Sequence, residues 1–168
     1  MGKLMRGLAI AVLLATVAGA FGVLYGIKTF SPQVENVSVE LLPAEQAPKA
    51  FEGIRRQLEA GTYAGKVFPS QQGTNNLNAE DCTFVTYTVR LENKGFFPAE
   101  WIAMQVLPAD GTEVLMLPDD GAHVLNTRTT GDLSATILCR DGGEETPRML
   151  EVSCYVFGRK VVFQVQAG

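Results

Sequence analysis

Residues 82–92 read CTFVTYTVRLE. Val85, Tyr87, Val89 and Leu91 fall on one side of an extended chain, with Thr86, Thr88 and Arg90 on the other. A period of two built from β-branched and aromatic residues marks a half-buried strand. Asn93-Lys94-Gly95 then supplies turn chemistry. Downstream, the stretch from Glu100 to Leu107 sets Ile102, Met104 and Val106 against Trp101 and Ala103. Ala109-Asp110-Gly111 turns the chain into a strand from Glu113 to Leu117, and Pro118-Asp119-Asp120-Gly121 leads to a weak one at His123–Asn126. Asp132 to Cys139 alternates through Leu133, Ala135 and Ile137. A charged loop from Arg140 to Arg148 follows, and Met149–Phe157 pairs with Lys160–Gln166 across Gly158-Arg159. The last strand sets Val161, Phe163 and Val165 against Val162, Gln164 and Gln166, which suits a sheet edge.

Upstream of the opening stretch, Val34 to Leu42 alternates with Val37, Val39 and Leu41 on one side. About seven short strands separated by Asp/Gly turns predict an all-β domain, a sandwich of two sheets. One helix interrupts it. Pro48 suits a first helical position, and Phe51, Ile54 and Leu58 share a face. Glu52 and Arg56 are spaced for an ion pair, and Gly61 is placed to stop the helix. The narrow apolar stripe fits a helix that covers an open end of the sheets; docking onto a partner is the alternative. Thr62–Phe68 reads as a short strand and Pro69–Asp81 as a polar loop.

The N-terminus is of another kind. Lys3 and Arg6 precede an uncharged run from Gly7 to Ile27, about 20 residues, enough to span a hydrocarbon layer of about 30 Å as a helix. The expected organisation is a cytoplasmic basic leader over residues 1–6, a transmembrane signal anchor over 7–27, a linker over 28–33 and an extracytoplasmic domain over 34–168. Cleavage after Ala20, behind Ala18-Gly19-Ala20, is the competing reading. The apolar run continues past that point through Phe21, Val23, Leu24, Tyr25 and Ile27, which favours the anchor. Ala18, Gly22 and Gly26 form a row of small residues at spacing four, a surface on which two membrane helices can approach.

Composition narrows the function. Net charge is -4, and no basic patch interleaved with aromatics occurs, so nucleic acid is not an expected partner. The chain has one histidine, His123, and lacks GxSxG, HExxH and Gly-rich phosphate-loop motifs. No catalysis, cofactor or metal is expected. Glu80-Asp81, Asp119-Asp120 and Glu144-Glu145 fall in loops without calcium-loop spacing. Of three cysteines, Cys82 and Cys139 are the best candidates for a disulfide, since a sandwich of this strand order is expected to make their strands antiparallel neighbours. Strand alternation nevertheless puts Cys139 on the face of Ile137 and Cys82 opposite Val85 and Tyr87. Cys154 reads as a small buried hydrophobe.

The stretch Tyr87-Thr-Val-Arg-Leu-Glu-Asn-Lys-Gly95, followed by Phe97-Pro98-Ala99-Glu100-Trp101, resembles the second and third strands of bacterial immunoglobulin-like domains of the CARDB type. That resemblance implies an immunoglobulin-like β-sandwich in an extracytoplasmic setting. It carries no ligand-binding residue across, and the Cys…Trp…Cys spacing of antibody domains is absent.

Two functions fit. The first is a membrane-anchored, non-catalytic accessory subunit with a protein partner in a cell-envelope assembly. The second is a tethered binding module for a wall polymer, peptide or small ligand, with Phe96, Phe97 and Trp101 as its surface. Burial of those aromatics in the core is the competing expectation.

Overall fold

The opening stretch becomes β3 (Cys82–Glu92), which pairs antiparallel with β1 (Gln33–Pro43) on one side and β7 (Thr130–Arg140) on the other. This is a computed structural model; it describes residues 2–28, 30, 32–67, 77–107, 113–118, 123–140 and 148–167. Among them, nine strands form two antiparallel sheets. The first runs β1-β3-β7-β5-β2, with β5 at Glu113–Met116 and β2 at Lys66–Val67. The second runs β6-β4-β8-β9, comprising His123–Leu125, Ala99–Val106, Arg148–Val156 and Arg159–Ala167. The turns expected at 109–111 and 119–121, the charged loop at 141–147 and loop residues 69–76 lie outside the described residues.

The two sheets share one core. Val85, Tyr87, Val89 and Leu91 of β3 meet Ile102, Met104 and Val106 of β4 and their counterparts on β7 and β8. Each such side chain contributes about 1.5–3 kcal/mol by leaving water. A smaller core lies on the other face of the first sheet, beneath α2 (Pro48–Glu59), where Phe51 and Ile54 cover Cys82, Phe84, Leu115 and Leu138. Burial on both faces explains why the chain is apolar or small at successive positions from Cys82 to Val85. The helix ends as Gly61 requires. Gly61 takes φ +66, its N–H bonds to the Leu58 carbonyl at 3.1 Å and the Thr62 N–H to that of Gln57 at 2.8 Å. The ion pairs differ from the expectation: Arg55, not Arg56, reaches Glu52 at 3.0 Å, and it also approaches Glu59 at 3.7 Å.

The chain gives the domain two ends. β1 begins beside the N-terminal helix, together with the end of β3, the start of β4 and the β8–β9 turn. α2 and the smaller core sit where β1 finishes and β3 begins, roughly 30–35 Å away by the length of an eleven-residue strand.

The N-terminal helix α1 (Gly2–Lys28) is continuous. Its segment Leu8–Gly26 has mean hydropathy 2.3, and none of that segment is buried by the domain. By length and composition it is able to cross a membrane, and a signal sequence would look the same. The Thr16 hydroxyl donates to the Val12 carbonyl at 2.8 Å, which satisfies the polar side chain in the middle of the segment without water.

Candidate functional site

The helix-proximal end carries the clearest concentration of unusual features. Asn93 organises it. Fully buried, it donates through Nδ2 to the carbonyls of Phe97 (2.8 Å) and Leu125 (3.1 Å), and its Oδ1 accepts from the Gly95 N–H (2.9 Å). Its backbone N–H bonds to the Thr129 carbonyl and its own carbonyl accepts from the Arg128 N–H. Every strong hydrogen-bonding group of Asn93 is used, so one side chain fixes the turn 93–97 against the loop at 126–129. The Asn-x-Gly turn was legible in the sequence; the bond to Leu125, thirty-two residues away, was not.

That turn presents aromatic rings. Phe97 is half-buried against the main core and meets Phe157 edge-on, with ring centroids 4.4 Å apart at 72°. Its ring also lies 3.1 Å from where a Cβ on Gly26 of α1 would stand. Phe30 packs on the main core and would touch a Cβ on Gly95 at 3.2 Å, and Pro32 is buried. Lys94 donates to the Gln33 side chain at 2.6 Å. The segment read as a linker is therefore seated on the domain at Phe30 and Pro32.

Three aromatics at this end face solvent: Phe96 is 81% exposed, Trp101 65% and Phe157 60%. Two of them occupy left-handed backbone. Trp101 (φ 51) sits at a bulge where β4 slips register against both β6 and β8. Phe157 (φ 50) and Gly158 (φ 71) form the two-residue β8–β9 turn, one residue earlier than the Gly158-Arg159 turn expected from the sequence. Left-handed backbone costs a bulky residue about 1–2 kcal/mol, and neither ring recovers it by burial. Basic residues border the rings: Lys94, Arg128, Arg159 and Lys160 are all exposed.

The expected site residues are thus divided. Phe96 and Trp101 are exposed as a surface requires, while Phe97 is committed to packing. Of the small-residue row, Gly22 faces open space, whereas Gly26 is covered by the domain's own Phe97. Like Tyr25, Phe30 falls where the sequence leads one to expect an interfacial aromatic. Sequence reasoning missed Phe157, whose only signal is an aromatic placed next to a turn.

The remaining candidates are chemically quiet. Cys82, Cys139 and Cys154 are buried thiols. In the β3–β7 register Cys82 stands opposite Arg140 and Cys139 opposite Thr83, so their side chains leave opposite faces and enter different cores. Burial, reinforced by the nearby Cys82 sulfur, pushes the Cys139 thiol up to about 12, and burial also raises Cys154. Neither is a ready nucleophile. His123 is exposed and lines an open cleft of about 370 Å³ with Met104, Met116, Asp132 and Ser134. The Ser134 hydroxyl shares a hydrogen bond with Thr88 at 2.9 Å, and Asp132 lies 3.9 Å from Arg90. Among the described residues no group of three His, Cys, Asp or Glu side chains is placed to hold a metal ion.

The chain matches no protein-family model, no curated protein and no solved structure.

Proposed function

We propose that this chain is a membrane-anchored, non-catalytic interaction subunit of a cell-envelope assembly. Residues 7–27 cross the bilayer with the N-terminus in the cytoplasm, and an immunoglobulin-like sandwich stands on the other side. The observation that carries this reading is the bare helix. No residue of its apolar segment Leu8–Gly26 is buried by a domain whose own core is already closed by two sheets. Lys3 and Arg6 ahead of the segment favour the stated orientation.

The strand arrangement supports the fold assignment. β1-β3-β7 facing β4-β8-β9 follows the A-B-E and C-F-G order of immunoglobulin-like sandwiches. β1, an eleven-residue edge strand on which Val39 and Leu41 are 46% and 47% exposed, supports the reading that a protein is the partner. An open, apolar-bearing edge is where another chain can add a strand.

The test is brief in-cell crosslinking followed by mild-detergent purification of the full chain and mass spectrometry. A stoichiometric envelope protein linked to the domain is the expected result. Recovery of an uncrosslinked monomer would remove the subunit reading.

A further inference from the structure

We propose that the helix-proximal end of the domain docks onto the same bilayer that holds α1, with Phe96, Phe97 and Phe157 at the boundary between acyl chains and headgroups. This rests on the reading of α1 as a membrane span.

The placement follows from length and contact. Leu8–Gly26 is 19 residues long, which at 1.5 Å per residue gives about 28 Å, close to the full thickness of a hydrocarbon layer. Gly26 then lies at the hydrocarbon boundary. The Phe97 ring is in van der Waals reach of Gly26, so it lies at the same depth. Phe157 is in edge contact with Phe97, and the most exposed of the rings, Phe96, is the residue just before Phe97. Tyr25, 71% exposed on the last turn of the span, belongs to the same level. Amphipathic and aromatic side chains favour this layer. The tether leaves the domain little freedom to stand away from the membrane, because Phe30 and Pro32 are seated on it within six residues of Gly26.

Charge agrees with this occupant. The whole chain is acidic, with net charge -4. The end in question nevertheless exposes Arg128, Arg159 and Lys160, together with Lys94, which is paired with Glu92 at 3.0 Å; Glu100 and Glu35, the latter 3.3 Å from Arg90, are the other acids there. A basic rim around exposed rings suits anionic headgroups.

Trp101 is the chain's single tryptophan, so fluorescence can report depth. The full chain carrying Trp101→Phe and Phe157→Trp is reconstituted into phosphatidylcholine/phosphatidylglycerol vesicles. The lipids carry bromine either near the headgroup end of the acyl chains or near their termini. Docking predicts quenching by the shallow bromines, about twofold or more, and weaker quenching by the deep ones. Trp101→Phe with Val17→Trp serves as the reference and is quenched most by deep bromines if α1 spans the bilayer. Loss of quenching in the reference overturns the membrane span itself. A quenched reference with an unquenched Phe157→Trp overturns the docking alone. Shielding of that residue from aqueous acrylamide without bromine quenching also overturns it, since a protein would then cover the rings. If Phe157→Trp fails to fold, Phe96→Trp replaces it at a site that is almost fully exposed.

Discussion

Phe97 and Gly26 are in contact across the junction of helix and domain: a Cβ on Gly26 would stand 3.1 Å from the Phe97 ring. Nothing lies within 4 Å of the equivalent position on Gly22. The two glycines of the Gly22-x-x-x-Gly26 motif therefore do different work. In Gly26→Leu the Cβ alone requires the Phe97 ring to give by a few tenths of an ångström, which disturbs its contact with Phe157. Hydrogen exchange of residues 93–98 in the detergent-solubilised chain should rise in Gly26→Leu and stay at the wild-type level in Gly22→Leu. Equal exchange in both variants would mean that the helix does not rest on the domain. Any change in self-association caused by Gly22→Leu reports helix pairing alone.

Asn93→Ala removes donors from the buried carbonyl of Leu125 and from that of Phe97, and an acceptor from the Gly95 N–H. With buried groups left unpaired, a loss of about 2–4 kcal/mol is expected. Urea unfolding midpoints of the two chains in the same detergent measure it. A loss under about 1 kcal/mol would show that water replaces the side chain at this turn.

Tyr87 and Arg148 meet inside the main core. Both are buried, and Arg148 hydrogen-bonds the Tyr87 side chain. Burial raises the phenol above its ordinary value despite the opposing pull of the guanidinium. Tyr87→Phe deprives a buried cation of a partner, and a cost of about 1.5–3 kcal/mol follows. Adding Arg148→Met to Tyr87→Phe should cost less than the sum of the two single changes, because the interaction the two side chains share is lost only once. Additive losses in the double variant would contradict the coupling.

Alkali should weaken the fold through groups held neutral by burial. Cys139 is raised from 9.0 to about 12 and Tyr63 from 10.0 to about 12, the Tyr63 hydroxyl donating to the Met116 carbonyl at 3.0 Å. With raised folded values, the native state holds more protons than the unfolded chain between each pair of values. Stability then falls as pH rises through that window. The contribution is complete below about pH 9 and is lost toward pH 12. Unfolding midpoints between pH 8 and pH 11 check this, with Tyr63→Phe expected to flatten the decline above pH 10. Identical slopes in the two chains would remove Tyr63 from the account.

Much of the sheet architecture is visible in the sequence because alternation survives wherever one strand face meets the common core. Val85, Tyr87, Val89 and Leu91 are buried as their spacing requires, and Val161, Phe163 and Val165 turn inward on β9, an edge strand. Phe51, Ile54 and Leu58 likewise lie toward the sheet. Strand periodicity is silent where backbone leaves the regular path. The bulge at Trp101 and the left-handed Phe157 break no sequence pattern, since only the tertiary register reveals them. The aromatic end is assembled from residues 30, 96–97 and 157 by the pairing of β4 with β8 and of β1 with β3. No local window contains those contacts, and Phe30 and Gly26 look like parts of a linker and a helix-pairing face until the fold brings them against the domain.

The account depends most on the fate of the apolar segment. Protein retained in alkali-washed native membranes should be digested and its N-terminal peptides sequenced by mass spectrometry. Recovery of the segment Gly7–Ile27 still joined to the domain is the predicted result. A membrane-free chain beginning at Phe21 would contradict it, and the anchor, its contact with Phe97 and the bilayer docking would all fall together.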